Sequence, residues 1–506
     1  MADAVTAART LAEQAVASAR ALTENGQLID DHQVVVERVA YAATEARVIA
    51  ELGATPLPDH ARIASAELAQ SIVTRLAPVA GILKLSPALA IDPALAPEHV
   101  EKLGEHAITN AGRLAWPLDE TLDEVRANVR AFAEREIMPH AERIHSHDEL
   151  VPERFITEMG KLGYFGLSIP DRFGGYELGN IAMILTTEEL SRASLAAAGS
   201  LITRPEILAK ALLAGGSDAQ KQHWLPKLAS GEIMAAISVT EPDTGSDVAS
   251  LTCRAEKVDG GYTITGAKAW CTFAGRADVI ALLARTGDAG ARGLTLFIVD
   301  KPRFDGHAFD AKQPTGGTLT GKADRTPGYR GMHSFTLAFD NWFVPDAQVV
   351  GEPGKGFALQ MAGFAAGRLQ TGGRACGLAG AALETTARYV AERKQFGKPI
   401  GDYGLTRYHL GRMASRLVAA RAITYAAARA MDTDERAAAP LAAMAKLFSC
   451  DVAVEVTQLG QLLHGGWGYA EEYPISRYVA DAQVLPIFEG VKPILTLKVV
   501  GRSLLQ

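Results

Sequence analysis

Between Ile233 and Val350 the spacing of apolar residues changes from three-and-four to two, and after Gly356 it changes back. A helix gathers residues three and four apart on one face, whereas a strand gathers every second residue, so this chain is neither all helix nor all sheet. The alternating stretch contains Tyr262 to Thr265, Val279 to Leu283, Leu294 to Val299 and Ser334 to Phe339, β-branched and aromatic runs separated by Gly and Asp. Such runs read as strands. Helices, then strands, then helices make the class α+β.

The pattern divides the chain into four segments, 1–115, 116–233, 234–350 and 351–506. In the first, Val5, Ala8, Leu11, Ala15, Ala19 and Leu22 form one helical stripe and Val35, Val39, Ala42, Ala46 and Ile49 another. Asp30 and Asp31 stand where a cap for the second helix is expected, and Pro56, Pro58, Pro78, Pro87, Pro93 and Pro97 break the remainder of the segment into shorter pieces. The segment holds no cluster of reactive residues and reads as a helical extension that covers the main body.

The balance of 51 Lys and Arg against 58 Asp and Glu, without a long basic block, excludes an evident nucleic-acid footprint. Cys253, Cys271, Cys376 and Cys450 have no CxxC spacing, which argues against a metal site or disulfide framework and for buried thiols in a reducing compartment. No apolar run reaches 18 residues, and Asp3, Glu13 and Glu24 interrupt the start, so neither a membrane span nor a leader is expected and cytoplasm is the default.

Glu489 lies in Leu485-Pro486-Ile487-Phe488-Glu489-Gly490, a carboxylate set in an apolar run and followed by a glycine that admits another molecule to the backbone. That setting suits a base with a tuned pKa. Ser238-Val239-Thr240-Glu241-Pro242-Asp243-Thr244-Gly245-Ser246-Asp247 offers hydroxyls and turn amides able to hold a heterocycle and a phosphate without positive charge. Further on come Gly266-Ala267-Lys268-Ala269-Trp270-Cys271-Thr272, the basic turn Arg393-Lys394-Gln395-Phe396-Gly397-Lys398-Pro399-Ile400, and His464-Gly465-Gly466-Trp467-Gly468-Tyr469 with Glu471-Glu472-Tyr473-Pro474. Gly316-Gly317-Thr318-Leu319-Thr320-Gly321-Lys322 imitates a P-loop, but Ala323 replaces its metal-binding hydroxyl.

Together these motifs resemble the acyl-CoA dehydrogenase family from about residue 117 to the end. The resemblance implies an N-terminal helical domain, a middle β-barrel domain and a C-terminal four-helix bundle, here with the added extension. It implies FAD as cofactor and Glu489 as the base that removes the proton α to a thioester, while the β-hydride goes to flavin N5. Val239, Thr240, Trp270 and Thr272 would face the flavin ring and Gly245 and Ser246 its pyrophosphate. Arg393, Gln395, Phe396, Ile400, Gly465 and Gly466 would reach the FAD of a neighbouring subunit, hence a homo-oligomer of at least two. Ser246, Arg204, Arg368, Phe488 and Gly490 would line the substrate, and electrons would leave to electron-transfer flavoprotein.

Some members of the family carry the base just before an Arg on an earlier helix; here that slot, before Arg368, is Gly367. Family positions also differ at Leu462, Val491 and Ala365, which touches individual flavin and CoA contacts. Arg204 suits a carboxylate if it faces the pocket and is otherwise a surface or interdomain ion pair, while the long helical preface and the ending Phe488-Glu489-Gly490-Val491-Lys492-Pro493-Ile494 resemble members that oxidise a branched dicarboxylic acyl-CoA. A monocarboxylic branched substrate, and an oxidase that hands electrons to oxygen, stay open at this point. A DNA-binding relative would call for a basic C-terminus, whereas this chain ends Val499-Val500-Gly501-Arg502-Ser503-Leu504-Leu505-Gln506.

Overall fold

The computed structural model describes residues 4–88 and 91–506. Within them the alternating stretch forms one mixed sheet of β1 Ala235–Ser238, β2 Arg254–Val258, β3 Gly261–Thr272, β4 Val279–Arg285, β5 Leu294–Asp300, β6 Ala308–Lys312, β7 Thr318–Ala323, β8 Ser334–Pro345 and β9 Val349–Val350. The strands run in the order β6-β7-β8-β3-β2-β4-β5-β9, with β1 added parallel to β4 from Ala235 opposite Val279. β4 and β5 are buried on both faces and read as continuous apolar runs. β6 and β7 bury every second residue and β2 buries Ala255 alone, so all three carry too little apolar signal to stand out in the sequence. The P-loop-like string is a hairpin: Gly316 at φ 97° turns the chain from β6, and Thr318–Ala323 is β7.

The chain divides into two compact units, one of residues up to Glu124 with Thr371–Gln506, the other Val125–Gln370. In the second unit, helices Thr203–Gly215 and Asp218–Ser230 lay Leu208, Leu212, Trp224 and Leu225 against Ile237, Ala281, Leu296 and Ile298 of the sheet. Ser217 and Gln220 close a reciprocal cap on the second of these helices.

In the first unit, helices Ala4–Leu22, Gln33–Leu52, Pro58–Leu76 and Pro97–Thr109 share a core with the long helices Gly404–Thr433 and Glu435–His464. Both predicted stripes are helical and bury Ala8, Leu11, Ala15 and Ala19, and Val35, Val39, Ala42 and Ile49. Pro58 and Pro97 open their helices, where a missing N–H costs nothing. Asp30 and Asp31 do not cap the second helix: they form a 3-10 turn, and the Asp30 carboxylate binds the Gln33 amide and the Lys498 ammonium instead. Arg412 joins Glu67 of the extension at 3.0 Å to Glu455 at 2.9 Å. The segment Glu435–Gly468 is long and apolar enough to cross a membrane, but 72% of its apolar window is buried inside the protein.

Helices Pro97–Thr109 and Gly404–Thr433 approach so closely that a Cβ on Gly104 would lie 1.8 Å from the Arg407 carbonyl, and one on Gly411 2.0 Å from that of Val100. Gly104→Ala should therefore cost about 3 kcal/mol through overpacking, despite the ~1 kcal/mol by which a helix prefers alanine. Gly81→Ala, with open space around it, should be neutral or stabilising. Thermal unfolding of the two variants checks this, and equal midpoints would show that the helices do not meet as described.

Candidate functional site

Within the unit Val125–Gln370, β1 ends at Ser238 and the chain leaves the sheet through Val239, Thr240 and Glu241. Two bonds tie that exit to β3: the Ala269 N–H donates to the Thr240 carbonyl at 2.8 Å, and Lys268 Nζ donates to the Val239 carbonyl at 2.9 Å. Lys268 is wholly buried and reaches Glu241 Oε1 at 3.0 Å. Glu241 also accepts from the Thr252 N–H, the Thr252 hydroxyl and the Cys253 N–H at 2.7–2.8 Å. Burial alone would raise the Glu241 pKa, but Lys268 and these donors outweigh it and hold the carboxyl below its ordinary range. A buried pair whose remaining donors and acceptors are answered fixes the local backbone. The two motifs singled out in the sequence thus meet, with Gly245 and Ser246 exposed on the turn beyond.

The pairing of β3 with β8 slips between Lys268 and Cys271. A bulge re-aims side chains, and Trp270 is held at φ 57° and is 58% exposed. Thr272, buried, shares a hydrogen bond with Ser334 at 2.9 Å, and the Phe273 N–H donates to the His333 carbonyl at 2.8 Å. An exposed tryptophan next to a hydroxyl-bearing turn offers the surface and donors that a flavin ring and its pyrophosphate require.

Arg204 is not on the surface: it is buried at the start of helix Thr203–Gly215 and close enough to act on the Cys271 thiol, which burial pushes up to about 11. Arg368 is half-buried on helix Gly356–Glu392, and Thr203 hydrogen-bonds Gln370 of the same helix at 2.9 Å. Asp148, His307 and His333 bring ligand atoms within 4.8 Å of one another, but His333 at 3.0 Å and Arg330 at 3.7 Å already answer the Asp148 charge.

In the other unit, Glu489 is half-buried at φ 55° and Gly490 follows at φ 103°. A left-handed backbone on a residue with a Cβ is strained and persists where its surroundings over-determine it. Here the Lys492 N–H donates to the Pro486 carbonyl at 2.9 Å, and the buried Lys446 donates to the Gly490 carbonyl at 2.6 Å. The Arg374 guanidinium lies 4.6 Å over the Phe488 ring.

Arg393, Gln395, Ile400, Gly465 and Gly466 line one cleft of about 610 Å³ with Tyr389, His464 and Trp467. Phe396 caps the short ribbon between them at φ 52°, 95% exposed. Side chains built on Gly465 and Gly466 would meet open space, so both backbones stay accessible on the cleft wall.

The sequence reading missed Glu241, Lys268, Lys446 and Arg374. Their signal was present: Lys446 interrupts the apolar stretch 437–448, and Lys268 sits between alanines in a strand.

Known proteins resemble this chain over most of its length. Family models match in order: the acyl-CoA dehydrogenase N-terminal domain over residues 119–232, the middle domain over 236–342 and the C-terminal domain over 354–505. The (2S)-methylsuccinyl-CoA dehydrogenase of Cereibacter sphaeroides is 42% identical, covering 77% of this chain and 70% of that protein. A glutaryl-coenzyme A dehydrogenase solved with glutaryl-CoA has a TM-score of 0.70 at 30% identity, covering 76% of this chain and 94% of that one. A chain solved with the electron transferring flavoprotein study of Acidaminococcus fermentans has a TM-score of 0.72 at 29% identity, covering 78% of this chain and 100% of that one.

Lys268→Met should cost about 3 kcal/mol near neutral pH, because it leaves the Glu241 carboxylate buried without its cation. Glu241, its folded pKa depressed, contributes stability above the ordinary carboxylate pKa and loses it as pH falls through the folded value. The difference between wild type and variant should therefore shrink in acid. Unfolding followed at several pH values measures it, and a gap that stays constant into acid would remove Glu241 from the account.

Proposed function

The chain belongs to the acyl-CoA dehydrogenase family, FAD-dependent oxidoreductases acting on the CH–CH bond of an acyl-CoA, and within it we propose that this protein oxidises (2S)-methylsuccinyl-CoA to mesaconyl-CoA. The observation that carries the substrate is the burial of Arg204 in the unit that also holds the Val239–Ser246 turn and Trp270. A guanidinium out of water is a receptor for the second carboxylate of a dicarboxylic acyl group and a poor neighbour for a plain alkyl chain. The 42% identity to a (2S)-methylsuccinyl-CoA dehydrogenase supports the same reading.

In this reading the thioester acidifies the α-carbon, and Glu489 takes the α-proton. Its own N–H donates to the thioester oxygen, where negative charge develops. FAD supplies the acceptor for the β-hydrogen and its electron pair. Val239, Thr240, Trp270 and Thr272 would hold the isoalloxazine, and Gly245 and Ser246 its pyrophosphate. Arg368, Phe488 and Gly490 shape the acyl side, with Phe488 steadied by Arg374.

Arg393, Gln395, Phe396, Ile400, Gly465 and Gly466 serve the FAD of a second copy, which gives a homo-oligomer. An aromatic as exposed as Phe396 and a cleft walled by bare glycine support that assignment. The electrons go on to electron-transfer flavoprotein.

Anaerobic mixing of the yellow holoenzyme with acyl-CoAs, followed at the flavin absorbance, tests the proposal. Methylsuccinyl-CoA should bleach the flavin rapidly, while butyryl-, isobutyryl- and 2-methylbutyryl-CoA should not. Bleaching by the monocarboxylic thioesters would retire the substrate, and peroxide release in air at the turnover rate would make the enzyme an oxidase. Glu489→Gln should keep the flavin and slow bleaching about 10³-fold, the scale of a general base. Arg204→Gln should weaken the preference for the dicarboxylic thioester about 100-fold, the worth of a charged hydrogen bond; an unchanged preference would remove Arg204 from the pocket.

A further inference from the structure

The turn that carries Glu489 is closed by Lys492, whose N–H binds the Pro486 carbonyl at 2.9 Å. The Lys492 ammonium reaches Asp451 on helix Glu435–His464 at 2.5 Å. Both side chains of this pair are about one-third exposed, and a wet pair of that kind holds a long lysine weakly by itself. Asp451 has a second partner: the hydroxyl of Tyr41, on helix Gln33–Leu52 of the N-terminal extension, donates to the same carboxylate oxygen.

Tyr41 is well placed to be the fixed end. It is 4% exposed, Arg75 covers its ring at 3.9 Å, and Arg75 is itself held by Glu45 at 3.1 Å. The Lys492 ammonium lies 5.0 Å from the centre of the same ring. Burial and the Asp451 charge raise the phenol pKa well above its ordinary value, so the hydroxyl keeps its proton and stays a donor.

We propose that the extension positions the base: Tyr41, through Asp451, anchors Lys492 and so sets the turn in which Glu489 is held left-handed. Tyr41 and Asp451 are positioning residues, and the inference rests on the reading of Glu489 as the proton acceptor. Lys446 at Gly490 fixes one side of the turn and the Tyr41 chain fixes the other. Misplacing a base by a fraction of an ångström slows proton transfer while leaving ground-state binding of the acyl-CoA intact.

The test uses full-length holoenzyme and the rate of anaerobic flavin bleaching per bound flavin, with whichever acyl-CoA bleaches the wild type. Tyr41→Phe keeps the ring beneath Arg75 and removes the donor. It should slow bleaching about tenfold, with FAD content and the acyl-CoA concentration for half-maximal rate unchanged. Asp451→Asn, which keeps the shape, should show a similar loss, and the double variant should be no slower than the worse single one, since both act along one chain. Tyr41→Phe and Asp451→Asn at the wild-type rate, whatever their thermal midpoints, would overturn the proposal, as would losses that simply add. Glu489→Gln separates the two readings: if it bleaches normally the base assignment falls, whereas if it is inactive and Tyr41→Phe is not impaired, the positioning role alone falls.

Discussion

Trp270, Phe396 and Glu489 occupy φ values of 57°, 52° and 55°, where a side chain crowds its own backbone. Such a conformation costs on the order of 1 kcal/mol or more at each position, so each requires something behind it. Behind Trp270 are the β3–β8 bulge and Lys268. Beside Phe396 is a two-stranded ribbon closed by Ile400 on the Arg393 carbonyl at 2.7 Å, with the Tyr403 hydroxyl on the Gln395 carbonyl at 3.0 Å. Around Glu489 are Lys446 and the Pro486–Lys492 closure. In each case regular structure or a buried cation over-determines a segment that local preference alone would let relax.

Two lysines do this from inside the protein. Lys268 and Lys446 are both essentially buried, and each donates to a carbonyl of a neighbouring segment that carries a candidate site residue or adjoins one. A buried ammonium is costly unless its protons are used, which makes its direction definite where a solvated lysine would wander. The Glu241–Lys268 pair adds its own demand, since the carboxylate draws Thr252 and Cys253 into the same network. The Val239–Thr240 exit therefore has little freedom before any ligand arrives.

Much of the fold and of the candidate site was legible in the sequence because it depends on local pattern. The helical stripes of the extension, the four strands with continuous or alternating apolar runs, and the glycine-rich and aromatic motifs all carry their own signature. What escaped depends on long-range geometry. β6 and β7 bury every second residue and β2 Ala255 alone, so their signal sinks into the loops. Asp30 and Asp31 have the right type for a cap, yet Lys498, 468 residues away, takes Asp30 instead. Arg204 read as a surface charge, an ion-pair partner or a pocket charge, and its burial removes the first of these. Nothing in a glycine's neighbours announces that Gly104 will meet the Arg407 carbonyl.

The extension shows the same division most plainly. Its stripes predict helices that need a partner, and its lack of reactive clusters predicts a cover, and both statements concern residues taken a few at a time. Tyr41 lies on the second of these helices but outside its stripe, and its hydroxyl gains meaning from Asp451, 410 residues further on, and from Lys492 beyond that. Residue type singles out a candidate base such as Glu489. A proposed positioning group escapes it, because an ordinary buried tyrosine differs from a positioning one in nothing but its partner. Burial makes the difference physical: in water the Asp451–Lys492 pair would compete with solvent, whereas a phenol shielded beneath Arg75 offers one direction for its proton. An appended helical layer can therefore bear on a site made of residues far along the chain without contributing a single reactive group to it.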